Sequence, residues 1–373
     1  MHLQAQPQKT ESLPLGISDP PRIGASPRIL LAGKVTGMAA PGWKEAHMLG
    51  LARALPAVGV AARLWRPWED SLAEADCLHV FGSLPEHVPV VEAARRQHLP
   101  VALSTLDWHG GTDGLGQLPP MTRGLAVCAR LLRRSVRPPW RSWRRRLYQS
   151  VDLLLPHTHA EAQQLLYYFR VPAPRVHIIP GAADPQLAAA DPEPFAQLVG
   201  GRNFVLYLGP IEPRANQLGF LWAMRPSDVP VVVLGDVSPG YPWYLEECRR
   251  AAGPRVQFVQ SLRGDDPLLA SAYAACGCLV LGSWQESSCS AALEAGMSGT
   301  PLVLPEGSCA GEYFGRAAFY VNPGDLPGIR RAVLAALARG RSPSLAGHVQ
   351  TYFSWNAVAK ATRAAYDSLL SRR

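Results

Sequence analysis

The sequence predicts an α/β protein built from two Rossmann-like domains that face a cleft. Three observations predict it. Short apolar runs alternate with helical stretches from Pro27 onward, the pattern of βαβ units and parallel sheets. The 373 residues exceed one average core, so two domains are expected. The alternation lapses over residues 181–202, which are rich in Ala, Pro and Asp and carry little periodicity. The expected organisation is a flexible leader at 1–27, a first domain at 28–183, a linker at 184–202, a second domain at 203–350 and a C-terminal helix at 351–373, which would turn back onto the first domain.

The leader carries Pro7, Pro14, Pro20, Pro21 and Pro27. Arg28–Ala32 reads as a buried strand, followed by a loop with Gly33, Gly37, Pro41 and Gly42 and a helix from about Lys44 to Val58. Val60–Trp65, Cys77–Phe81 and Val101–Ser104 read as strands, with Val88–Gln97 helical before the last. After an arginine-rich helical region come a strand at Val151–Leu155, a helix at His159–Phe169 and a strand at Val176–Ile179. The second series places strands at Phe204–Leu208, Val229–Leu234, Val256–Val259, Cys278–Leu281, Leu302–Leu304 and Ala318–Val321. Helices fall near Gln217–Met224, Pro242–Ala252, Pro267–Cys276 and Ser288–Met297, then Leu326–Ala338 and Trp355–Leu370.

Composition excludes several classes. No apolar run reaches the roughly 18 to 20 residues of a membrane span, and the N-terminus lacks a charged start followed by an apolar stretch. Seven scattered cysteines do not make a disulfide framework, and cytoplasm is the expected compartment. The net charge of +8 belongs to one segment: nine arginines and no acid or lysine lie between Gly114 and Val151, and the rest of the chain comes to −1. One basic stretch without a recognisable module does not make a nucleic-acid binder. The glycines of the first loop miss the dinucleotide spacing, and Gly33-Lys34-Val35 lacks the Ser or Thr of a P-loop, so a nicotinamide-dependent dehydrogenase is unsupported.

The stretch Gly282–Pro305 carries the chemistry. A polar turn follows a strand and leads into a small-residue helix; Glu286 and Glu294 have seven residues between them. With the helix starting near Ser288, Ser290, Glu294 and Ser298 share a face. A carboxylate there can accept hydrogen bonds from a sugar diol; it can equally be a solvated surface glutamate.

These pieces together resemble the nucleotide-sugar-dependent glycosyltransferases of family 4. The resemblance rests on Tyr207-Leu208-Gly209-Pro210-Ile211-Glu212-Pro213-Arg214-Ala215-Asn216-Gln217, the Glu286–Glu294 spacing, Gly299-Thr300-Pro301-Leu302-Val303, Glu312-Tyr313-Phe314-Gly315 and Tyr320-Val321-Asn322-Pro323-Gly324-Asp325. Pro156–Glu161 and Ile179–Asp184 add to it in the first domain. It implies the two-domain GT-B architecture and transfer of a sugar from a nucleotide-diphosphate donor with retention of configuration, in polysaccharide or glycolipid synthesis. The acceptor would be a glycan or lipid-linked, with no metal and no cofactor beyond the co-substrate. It assigns Glu294 to the ribose hydroxyls and Glu286 to the donor hexose. Gly209, Ser287, Ser288, Ser290 and Arg263 would line the donor site, and Gly42 and Lys44 the acceptor-side loop.

The sequence departs from the family where the diphosphate is gripped. Pro210 and Ala215 stand where an arginine and a lysine are usual. Removing one preorganised donor to a developing anion costs about 3 to 4 kcal/mol. Arg214 is the expected substitute, with a solvated loop arginine as its alternative. His109, with Asp107 as a rival, is the expected first-domain contact to the donor sugar. A transferase and a degenerate relative that binds a ligand or partner without turnover therefore both remain open. The Trp140, Arg141, Trp143, Arg144, Arg145 and Arg146 cluster interleaves aromatic and basic residues and predicts peripheral contact with an anionic membrane; the alternative is a helix whose tryptophans cover the first domain.

Overall fold

The computed structural model describes residues 26–34, 42–106, 142–260, 262, 266–284 and 289–372. Two parallel sheets form among them. The first contains β1 (Arg28–Ala32), β2 (Ala61–Leu64), β3 (Cys77–Phe81), β4 (Val101–Ser104) and β5 (Leu153–Leu154), in the order β2-β1-β3-β4-β5. The second contains β6 (Val205–Leu208), β7 (Val231–Leu234), β8 (Val256–Val259), β9 (Cys278–Val280), β10 (Leu302–Pro305) and β11 (Phe319–Val321), in the order β11-β10-β9-β6-β7-β8. Central strands such as Val231–Leu234 are buried throughout, as expected where helices cover both faces of a parallel sheet. Each sheet reverses its order once, between β1 and β3 and between β6 and β9. Open α/β sheets bind ligands outside the strand ends at such points.

Local signals set most helix starts. Asp325, Ser342 and Ser354 accept backbone N–H groups at the starts of the helices Leu326–Arg339, Pro343–Tyr352 and Trp355–Leu370. The structure differs from expectation at several places, among them the helix Pro343–Tyr352, which the sequence pattern does not predict. Val176 makes a single bridge to Leu154 rather than beginning a strand. The helix expected from Ser288 begins at Ser290, because Cys289 takes a left-handed conformation (φ 50°). The stretch read as a linker contains the helix Glu193–Val199, whose Phe195 is fully buried in the second core.

The chain passes between the domains at residues 181–184 and again at 353–354, and the two passages touch: Ala183 N–H donates to the Phe353 carbonyl at 2.9 Å. The last helix, Trp355–Leu370, then enters the first core, where Val358, Ala359 and Tyr366 join Ile29 and Leu31. Gly50 makes this possible, since a β-carbon there would fall 2.1 Å from the Trp355 ring. A second tie runs from Glu312. Its carboxylate accepts the His159 and Ala160 N–H groups (2.6 and 2.9 Å) at the start of the helix His159–Tyr168. Next to it, the Tyr313 hydroxyl donates to the His157 carbonyl (3.2 Å) and accepts from Gly181 N–H (3.1 Å).

Candidate functional site

A pocket of about 60 Å³ opens where β6 and β9 end. Tyr207, Gly209, Pro210, Arg214, Gly282 and Ser283 are among its lining residues. Its shape depends on two glycines. Gly209 has φ 148°, and a β-carbon on Gly282 would fall 2.6 Å from the Tyr207 hydroxyl. That hydroxyl donates to the Ala215 carbonyl. Asn216, left-handed at φ 62°, joins the walls: its amide donates to the carbonyls of Gly282 (3.2 Å) and Pro323 (2.9 Å). Trp284 N–H completes the enclosure by donating to the Arg214 carbonyl at 3.0 Å.

The expected cation is present and already paired. Arg214 lines the pocket, and its guanidinium contacts Glu212 Oε1 at 2.9 Å through both Nε and Nη2. Pro210 is exposed and Ala215 buried, and neither side chain carries charge.

Glu294 lies in the middle of the helix Ser290–Met297, one turn beyond Ser290 on the same face. It is part-buried, and Glu294 Oε2 accepts the Tyr273 hydroxyl at 2.7 Å. Burial pushes the carboxyl up to about 7, and the Tyr273 bond works against that rise. Cys289 offers no side-chain cap to this helix; its thiol faces Cys309 at 3.1 Å instead. Ser298 ends the stripe expected with Ser290 and Glu294, and its hydroxyl is engaged by Thr300 and Arg341.

On the first domain, Gly42 begins the helix Trp43–Ala54, with its N–H on Glu45 at 3.0 Å. Lys44 reaches over Gly82, just beyond β3; a β-carbon on Gly82 would stand 3.9 Å from Nζ. His157 is buried beside His47 (ring centroids 4.6 Å apart) and Trp43, and burial holds it well below the usual imidazole range.

Glu286, Ser287, Ser288, Arg263, His109, Asp107, Trp140 and Arg141 lie outside the described residues. The structure brings Gly209 and Arg214 together at the pocket and sets Glu294 and Ser290 on one helix face. Gly42 and Lys44 are on the other domain. In the basic segment, Trp143 packs on the first core, Arg144 lies 4.6 Å from its ring and Arg146 pairs with Glu92 at 2.6 Å. The sequence assigns no site role to Tyr273, Asn216 or Glu312. Their partners are distant in sequence, and spacing carries no signal for such contacts. Among the described residues no set of three or more His, Cys, Asp or Glu is arranged to hold a metal, and no helix is long and apolar enough to cross a membrane.

Residues 202–339 match a family model described as glycosyl transferases group 1. No curated protein matches the chain. Among solved structures, sucrose-phosphate synthase from Thermosynechococcus elongatus aligns with a TM-score of 0.71 and 18% identity, covering 93% of this chain and 100% of that one. A glycosyltransferase from Rickettsia africae gives 0.70 and 10% over 94% and 100%. Anabaena HepE, solved with UDP and glucose, gives 0.66 and 15% over 92% and 100%. The fold is GT-B.

Proposed function

We propose that this protein is a glycosyltransferase of the family 4 kind, moving a sugar from a nucleotide-diphosphate donor to a glycan or lipid-linked acceptor with retention of configuration. The observation that carries the reading is the pocket at the β6–β9 reversal, lined by Gly209 and Arg214 and lying, like Glu294 in sequence, inside the segment that matches the family model. In this reading Glu294 accepts the ribose hydroxyls. Gly209 admits the diphosphate close to the backbone, and the start of the helix Ser290–Met297 turns N–H groups toward it. Arg214 brings the positive charge once Glu212 releases it. Glu286 faces the hexose, Ser287, Ser288 and Arg263 complete the donor side, and His109 reaches the sugar from the first domain with Gly42 and Lys44. No metal takes part. The setting is polysaccharide or glycolipid synthesis in the cytoplasm, with the basic segment against an anionic membrane face.

A panel of UDP-, GDP- and ADP-sugars, UDP-glucose first because HepE was solved with UDP and glucose, tests the reading by transfer or hydrolysis. Turnover lost in Glu286→Ala and Arg214→Ala supports it. Calorimetry with no affinity for any common nucleoside diphosphate overturns it. Flotation with acidic and neutral vesicles tests the membrane contact, which fails if acidic vesicles do not bind the protein.

One observation favours a second reading, binding without turnover. Among the described residues that line the pocket, Arg214 is the only cation, and it is paired with Glu212. Nucleotide affinity without transfer for any sugar in the panel would select this version.

A further inference from the structure

The Tyr273 ring is fully buried in the helix Pro267–Ala275, and its hydroxyl ends on Glu294 Oε2. The other end of the residue is held as firmly. The Tyr273 carbonyl accepts Thr300 Oγ1 at 3.0 Å and Arg341 Nη2 at 2.9 Å. The same guanidinium donates to the carbonyl of Ser298, at the end of the Glu294 helix, and to the Thr300 hydroxyl, both at 3.0 Å. Arg341 thus ties the C-terminal ends of the two helices that carry Tyr273 and Glu294, where a cation is favoured by the unsatisfied carbonyls. Gly299 sets Arg341 in place. At φ 73° it turns against Ser342, whose N–H donates to the Gly299 carbonyl at 2.8 Å, and a β-carbon on Gly299 would fall 2.6 Å from the Ser342 carbonyl oxygen.

We infer that Tyr273, backed by Thr300 and Arg341, is a positioning residue that fixes Glu294 Oε2 and leaves Oε1 to accept the hydroxyls of a nucleotide's ribose. The inference rests on the proposed function. Two consequences follow from the chemistry. An ionised carboxylate accepting a phenol hydrogen bond is held in one rotamer, and the bond favours the charged form against burial. A protonated Glu294 would have one acceptor oxygen fewer to offer. Tyr273 therefore sets both where the carboxylate stands and the pH above which it accepts a diol.

Among the described residues, few other groups compete for that control. Cys276 lies on the far side of Tyr273, where burial keeps its thiol neutral. Of the other segments packed on the Ser290–Met297 helix, the Pro185–Ala189 turn has Asp184 at its start, held by Gln186 N–H. The helix Pro343–Tyr352 has His348, bonded to the Tyr313 carbonyl. Cys289 at the helix start faces the Cys309 thiol, and β10 brings no titratable side chain.

The test compares wild type, Tyr273→Phe and Glu294→Gln by calorimetry with UDP, GDP and ADP between pH 6 and 9. Carboxyl-labelled glutamate NMR follows Glu294 in the free proteins, its resonance identified by its loss in Glu294→Gln. Removing the phenol raises the carboxyl midpoint by about one pH unit. Nucleotide affinity then falls about fivefold at pH 7 and less than twofold at pH 9. In Glu294→Gln the pH dependence over this range disappears. Equal loss for Tyr273→Phe at every pH, or an unmoved Glu294 resonance, overturns the inference. If the wild type binds no nucleotide, the proposed function fails, and the resonance alone still decides whether Tyr273 governs Glu294.

Discussion

Replacing Glu294 by glutamine should stabilise the free protein, and by an amount that depends on pH. Burial moves this carboxyl from an ordinary 4.5 to about 7. A carboxyl raised by folding binds a proton in the folded state that the unfolded chain has released. Its contribution is fully present below pH 4.5, declines as pH rises through the interval to 7 and is gone above it. At about 1.4 kcal/mol per unit, holding the carboxylate ionised in the fold costs about 3 kcal/mol at pH 8.5. Glutamine keeps an oxygen for the Tyr273 hydroxyl and carries no charge. Urea unfolding followed by far-UV circular dichroism should therefore show Glu294→Gln close to wild type at pH 4.5 and more stable by up to about 3 kcal/mol at pH 8.5. A difference independent of pH, or a less stable variant at pH 8.5, would refute the reasoning. A stability gain with lost nucleotide affinity is the trade expected of a residue kept for binding.

Three further outcomes follow from the same geometry. Glu212→Gln should release Arg214 and raise nucleoside diphosphate affinity on the order of fivefold in calorimetry, whereas Arg214→Ala should lower it; unchanged affinity in both removes Arg214 from the site. Glu312→Ala should cost about 1 kcal/mol and speed amide exchange at His159 and Ala160, the two N–H groups it covers. Gly282→Ala should lower the melting temperature through an overpacking cost of about 1 to 3 kcal/mol, because its new methyl group meets the Tyr207 hydroxyl.

Much of the fold was legible because it is written locally. The Trp355–Leu370 helix begins after a serine cap and keeps one apolar face, and its ends match the expectation. The second-domain strands are dense apolar runs between glycines and prolines. Other parts are set by contacts remote in sequence. Phe195 makes the Glu193–Val199 helix part of the second core, and a seven-residue piece among prolines and alanines shows no periodicity of its own. The start at Ser290 depends on Cys289 accepting a positive φ so that its thiol can meet Cys309. Glu294 was visible through its spacing to Glu286 and the turn ahead of it. Tyr273 carries no sequence signal of its own, since the link to Glu294 runs between two helices and the link to Arg341 crosses 68 positions of chain.

The return of the Trp355–Leu370 helix to the first core has a consequence for synthesis. Residues 28–183 leave the ribosome before the last helix, yet the face of their sheet that carries Ile29 and Leu31, covered in part by Met48, Leu51 and Leu55, is completed only when Val358, Ala359 and Tyr366 arrive. The middle of the chain, from Glu193 to Tyr352, closes its own core before that. In topology the second domain is an insertion into the first, and the half made first is the half completed last. Cutting at residue 183 would not yield two proteins. It would leave a second domain carrying a stranded helix and a first domain with an apolar face open to aggregation.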